Sequence, residues 1–230
     1  MNRNFTAFCA AMLAFAIMFV ICGGFIEGNK FSLADDKDSV VKTVYLTFDD
    51  GPSNKVTPKI LDVLKKENVK ATFFIIGNQA ETRKNIIRRE FDEGHTVAVH
   101  SYTHRYGEIY ASPKSLLEDI DKCNELIKSV TGEYSKIYRF PGGSFGLSQK
   151  LVSAVTEHGM RYVDWNASTR DAEIYGATPA QLVKSAISTS ACSDNVVLLA
   201  HDSTSKSSTA EALKDIIAHF KNEGYVFEAF

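Results

Sequence analysis

From Lys42 onward the chain repeats one pattern: a short apolar run, a polar junction, a longer amphipathic segment, and then a glycine. Four amphipathic segments stop at Gly94, Gly132, Gly159 and Gly224, each followed within a few residues by another apolar run. Glycine closes a helix because it accepts the left-handed conformation that the terminus needs. Three segments open on a hydroxyl residue followed by proline, Thr57-Pro58, Ser112-Pro113 and Thr178-Pro179, which is a helix start signal. The pattern predicts strands at 43–48, 71–76, 96–99, 136–140, 161–164, 196–199 and 225–228. Helices fall between them, near 57–67, 79–93, 113–131, 147–158, 178–190 and 208–223. Such alternation gives a parallel α/β architecture, either a barrel or an open sheet. In both, ligands gather at the C-terminal ends of the strands.

The N-terminus differs from everything after it. Phe5 to Ile26 holds no charged side chain over 22 residues, and Arg3 precedes it. That length can span a bilayer and exceeds the usual core of a cleavable signal, while Ser32-Leu33-Ala34 offers small residues for a signal peptidase. We expect residues 1–34 to be a signal peptide or membrane anchor with a short linker, and 35–230 to be one exported domain. Ile21 before Cys22 argues against a lipoprotein. A chain of 230 residues with 44% hydrophobic content can bury one substantial core. A net charge of −2 with no Lys/Arg block gives no reason to expect nucleic acid. Beyond the N-terminal segment only Cys123 and Cys192 remain, which leaves two alternatives, one disulfide or two buried thiols. No cysteine cluster exists, so a metal site must use histidine and carboxylate.

The residues at the expected strand ends are chemically capable. The first strand ends in Thr47-Phe48-Asp49-Asp50-Gly51-Pro52-Ser53. Two adjacent carboxylates are costly unless a cation or a proton separates their roles. The third ends in His100-Ser101-Tyr102-Thr103-His104, where a helical turn would bring both imidazoles to one face. Two histidines and one aspartate leave coordination positions open, which suits a catalytic metal. The fourth ends in Arg139-Phe140-Pro141-Gly142-Gly143-Ser144: Arg139 can keep a carboxylate ionised, and a glycine N–H can meet an oxyanion. Asp164-Trp165 ends the fifth and suits a sugar-binding wall. His201, after Val196–Ala200, is a general-acid candidate whose pKa Asp164 is expected to raise. His95, His158 and His219 read as surface or capping residues.

Together these motifs resemble the polysaccharide deacetylases, the family four carbohydrate esterases that share the NodB homology domain. The resemblance spans about residues 42–230 and keeps the family's order: Thr47–Gly51, His100–His104, Arg139–Gly142, Asp164-Trp165 and Leu198–His201. It implies a distorted (β/α)7 barrel of parallel strands. It implies that Asp50, His100 and His104 hold a divalent metal, zinc before cobalt or nickel, and that Asp49 is the general base, oriented by Arg139. His201 would protonate the leaving amine with Asp164 tuning it. An N–H near Gly142 would serve the oxyanion, and Trp165 and Leu198 would line the acetyl pocket. Two departures stand out. The third motif often reads Arg-Pro-Pro-Tyr, against Arg139-Phe140-Pro141-Gly142 here, and Arg161 takes a place where the fourth often has an acid.

The expected function is metal-dependent removal of N-acetyl groups from amino sugars of a polysaccharide, peptidoglycan first. Chitooligosaccharide deacetylation and acetylxylan ester hydrolysis are alternatives by the same chemistry. A non-catalytic exported glycan-binding module is a further rival. The expected protein is a monomer, secreted or membrane-anchored with its catalytic domain outside the cell. Its partners are an acetylated polysaccharide and, if the N-terminal segment is uncleaved, the membrane.

Overall fold

Residue parity along the strands decides this fold, because successive side chains of a strand face opposite sides of the sheet. The computed structural model describes residues 41–230, so the N-terminal signal or anchor segment lies outside the described residues. The chain runs β1 (Thr43–Gly51), α1 (Thr57–Glu67), β2 (Thr72–Ile76), α2 (Gly77–Ala80), α3 (Lys84–Asp92) and β3 (Thr96–Ser101). It continues through α4 (Tyr106–Ile109), α5 (Pro113–Thr131), β4 (Ile137–Tyr138), α6 (Gln149–Glu157), β5 (Arg161–Tyr162) and β6 (Ala167–Ser168). It ends with α7 (Pro179–Ser190), β7 (Asn195–His201), α8 (Ser207–Asn222) and β8 (Val226–Glu228). Among the described residues no helix is long and apolar enough to cross a membrane.

The strands lie in the order β5-β4-β3-β2-β1-β7-β6, with β8 beside the start of β1, and every pairing is parallel. They curl into a half-barrel. The outward residues Val44, Leu46, Phe48, Phe73, Ile75, Val97 and Val99 are buried in the main core with Ile60, Leu61 and Leu64 of α1, Ile120 and Ile127 of α5, and Leu213 and Ile217 of α8. Each such side chain contributes roughly 1.5–3 kcal/mol by leaving water. The inward face is small: Phe74, Ala98 and Val163 cluster there, with Val197 and Phe230 packed against them. Below, the Tyr45 and Phe230 rings stack at 4.4 Å. Above, the same inward column ends in Asp49, paired in register with His201 of β7.

The expected elements reappear with local differences. The segment at 79–93 is two helices, α2 and α3, and β6 is a two-residue strand that no hydrophobic period announced. Ser112 caps α5 and Thr178 closes a full capping box on α7. Thr57 is instead the first residue of α1, and Ser53 Oγ accepts from the Val56 and Thr57 amides at 3.0 and 3.2 Å. His95 is buried, not capping: its Nδ1 accepts the Ala71 N–H at 3.2 Å, and burial pushes its pKa down to about 4. Cys123 is buried, Cys192 is exposed, and both are free thiols.

Candidate active site

Consecutive aspartates on a regular strand would point to opposite faces. The register of β1 against β2 shifts between Asp49 and Gly51, and Asp50 adopts φ 70°. This bulge inserts one residue and turns the second carboxylate toward the same end as the first. Asp50 Oδ1 lies 3.5 Å from His100 Nε2 and 3.3 Å from His104 Nε2, and Asp49 Oδ2 lies 4.0 Å from His100 Nε2. Glycine is required next: a Cβ at Gly51 would stand 2.3 Å from Asp202 Oδ2. The buried Asp202 carboxyl, raised to about 7 by burial and by Asp50 and Asp49, accepts from Thr57 Oγ1.

The two histidines do not meet on a helical turn. The segment from Tyr102 to Arg105 is a non-helical loop, and His104 itself sits at φ 57°. Asp119, projecting from α5, shapes that loop. Its Oδ2 accepts from Ser101 Oγ at 2.6 Å and the Tyr102 amide at 2.7 Å. Its Oδ1 accepts from the Thr103 amide at 2.9 Å and Thr103 Oγ1 at 2.8 Å. Ser101 Oγ in turn accepts the His104 amide at 2.8 Å. Nothing in the sequence marked Asp119, since it is one of several acids on an amphipathic helix.

His100 Nδ1 donates to the Arg139 carbonyl at 2.9 Å, which leaves the Nε2 lone pair facing Asp50. Burial pushes the His100 pKa down to about 3, so the ring is neutral, the form that binds metal. Asp50 Oδ1 is buried with no hydrogen-bond partner among the described residues. Three donors held at about 2.0–2.1 Å in a tetrahedral array stand about 3.4 Å apart, which matches the spacings around Asp50. The residues fit a divalent cation.

Arg139 is fully buried and fixes Asp49. Its Nη1 donates to Asp49 Oδ1 at 2.9 Å and to Thr47 Oγ1 at 2.7 Å, its Nε to the Val163 carbonyl at 2.9 Å, and its Nη2 to the Asp164 carbonyl at 3.2 Å. The guanidinium lies 4.1 Å above the Phe74 ring and 5.6 Å from the Trp165 ring. Burial nevertheless raises the Asp49 carboxyl above the ordinary range, against the opposing Arg139 and His201 charges. Arg139 therefore orients Asp49 and limits that rise without reversing it, which leaves a carboxylate better able to take a proton.

Two expectations need correction here. The partner of His201 is Asp171, not Asp164. His201 Nδ1 donates to Asp171 Oδ1 at 2.7 Å, and Asp171 Oδ2 accepts the His201 amide and Thr209 Oγ1, both at 2.8 Å. Burial opposes the imidazolium, but Asp171 overcomes it and lifts the His201 pKa to about 9. Asp164 holds the neighbouring loop instead, accepting the Ser144 amide at 3.0 Å and the Ser144 hydroxyl. Leu198 is the second correction. It shares parity with Val196 and Ala200 and lies with Leu213 and Ile216 of α8 around a small internal gap. Leu199, one residue on, is in register with Thr47 and shares the inward face with His201. Trp165 is half-buried on the site side, 3.1 Å from where a Cβ of Gly143 would be. Gly142 is exposed at φ 79°.

The sequence profile of the polysaccharide deacetylase family matches residues 36–163. The chain belongs to this family. Curated relatives include peptidoglycan-N-acetylglucosamine deacetylase of Bacillus cereus, 33% identical over 89% of this chain and 75% of the relative. Peptidoglycan-N-acetylmuramic acid deacetylase PdaA of Bacillus subtilis is 32% identical over 87% and 73%. Among solved structures, the catalytic domain of peptidoglycan N-acetylglucosamine deacetylase from Eubacterium rectale superposes with a TM-score of 0.76 at 39% identity, over 82% of this chain and 88% of that one. A family 4 acetyl xylan esterase from Clostridium thermocellum, in complex with a cobalt ion, gives 0.72 at 33% identity over 82% and 88%. The protein is a polysaccharide deacetylase, a hydrolase with an Asp50-His100-His104 cluster able to hold a metal.

Proposed function

We propose that this deacetylase removes N-acetyl groups from the amino sugars of peptidoglycan, with a divalent metal at Asp50, His100 and His104. The carrying observation is that the Arg139-held Asp49 stands 4.0 Å from the His100 imidazole and in register with His201. The proposed base, metal ligands and acid lie at the same end of the sheet. A divalent cation held by Asp50, His100 and His104 would supply Lewis acidity toward the acetamide carbonyl and toward water. Asp49 takes the proton from the attacking water. His201, protonated through Asp171 below pH about 9, gives a proton to the leaving amine. The Gly142 N–H donates to the oxyanion, while Trp165 and Leu199 bound the acetyl methyl.

Zinc suits a donor set of two imidazoles and one carboxylate, with cobalt or nickel next. Peptidoglycan as substrate is supported by its being the substrate of the deacetylases from Bacillus cereus and Bacillus subtilis that this chain resembles. The uncharged run at residues 5–26 supports a catalytic domain outside the cell membrane. The Clostridium thermocellum esterase makes acetylxylan the specific alternative. Acetate release from peptidoglycan, chitooligosaccharides and acetylxylan, before and after chelation, tests the reading. Asp49→Asn should still fold and bind metal while losing acetate release by at least about 100-fold, as expected for a general base. Undiminished release from that variant removes Asp49 from its role.

A further inference from the structure

The turn that follows Arg139 is held by a hydroxyl from outside it. Gly143 N–H donates to the Phe140 carbonyl at 2.8 Å, with Pro141 second in the turn and Gly142 third at φ 79°. That is a type II turn, whose central peptide stands across the turn plane. The same central peptide flips over in a type I turn, so its direction needs a tether. Tyr110, one residue beyond α4, donates its hydroxyl to the Pro141 carbonyl at 2.8 Å. In a trans peptide the N–H points opposite to the carbonyl. The Gly142 N–H is therefore turned away from Tyr110, and it has no acceptor among the described residues.

The surroundings place Gly142 one aromatic ring away from His104. A Cβ at Gly142 would sit 3.3 Å from the Tyr106 ring, and the Tyr106 ring stands edge-on to His104 at 5.3 Å between centroids. At the other end of the turn, the Arg139 carbonyl is bonded to His100. We propose that Tyr110 is a positioning residue that aims the Gly142 N–H at the developing oxyanion by holding the reverse side of the Pro141–Gly142 peptide. This rests on the deacetylase reading and deepens it. Burial also pushes the Tyr110 pKa well up, so its proton stays in place to donate.

The test uses zinc-loaded protein labelled with 15N-glycine and titrated with acetate, the small product. In the wild type the Gly142 amide proton should move downfield with acetate. In Tyr110→Phe, which keeps the ring, that shift should fall by at least half while the Gly132 and Gly159 amides stay put. Its kcat should drop about 10-fold with KM within about twofold, less than deleting an oxyanion donor outright because the N–H remains. An equal Gly142 shift in the variant, or an unchanged kcat, overturns the proposal. The wild-type titration needs no variant: a Gly142 amide that ignores acetate overturns it alone. If the wild type releases no acetate from any polymer, the substrate reading fails separately, and the amide shift still decides what Tyr110 does.

Discussion

His100 and His201 are the same residue type at C-terminal strand ends of one sheet, with side chains only 3% and 13% exposed. Burial discourages a charge on each. Yet His100 is pushed down to about 3 and His201 is lifted to about 9. The difference lies behind the rings. His100 Nδ1 donates to a neutral carbonyl, that of Arg139, whereas His201 Nδ1 donates to the Asp171 carboxylate. A carbonyl fixes a tautomer and leaves a lone pair for a metal. A carboxylate fixes a charge and leaves a proton to give.

The largest expected break in this comparison is Asp171→Asn, which makes the support of His201 resemble that of His100. The His201 pKa should fall from about 9 toward or below 6.5. The alkaline limb of the kcat profile, set by loss of the His201 proton, should then move below neutral, and kcat at pH 8 should fall by about 10²–10⁴. The sign for stability follows the same shift. A pKa raised above 6.5 stabilises the fold fully below that pH, and the contribution is lost as pH rises through about 9. Melting curves from pH 6 to 10 should show that loss in the wild type and little of it in the variant.

On the metal side, Asp119→Asn disturbs the loop that sets His104 while leaving all three ligands in place. Zinc affinity, measured by competition with a chelator, should weaken about 10–100-fold. The smallest effect on chemistry belongs to Leu198→Ala, on the face of β7 that His201 does not share. It should cost about 2–5 kcal/mol in denaturant unfolding, with kcat/KM of the folded protein little changed. A large kcat/KM loss there would return Leu198 to the acetyl pocket.

Much of this was legible in the sequence because strand ends in a parallel fold are where side chains converge. The sequence alone marked Asp49, Asp50, His100, His104, Arg139 and His201, and the structure gathers them at the C-terminal end of the sheet. Asp171 was missed because it follows β6, Ala167–Ser168, which carries no apolar run, whereas Asp164 directly follows the apolar Tyr162-Val163. Leu198 was read as facing the site because adjacent leucines look alike in sequence, and only the register with Thr47 tells their faces apart. His95 looked like a cap because Gly94 precedes it, but its imidazole folds back into the interior to take the Ala71 N–H.

The extra residue in β1 has a consequence for how such a site is inherited. Asp49 and Asp50 cooperate because of how many residues lie between Thr47 and Gly51, as well as which ones. That information is stored as a count. A lineage can swap side chains around the site indefinitely and keep the count, since substitution copies length faithfully. A single lost codon in that stretch would return the strand to strict alternation and swing one acid to the helix side. No later exchange of letters could repair it; only a regained codon could.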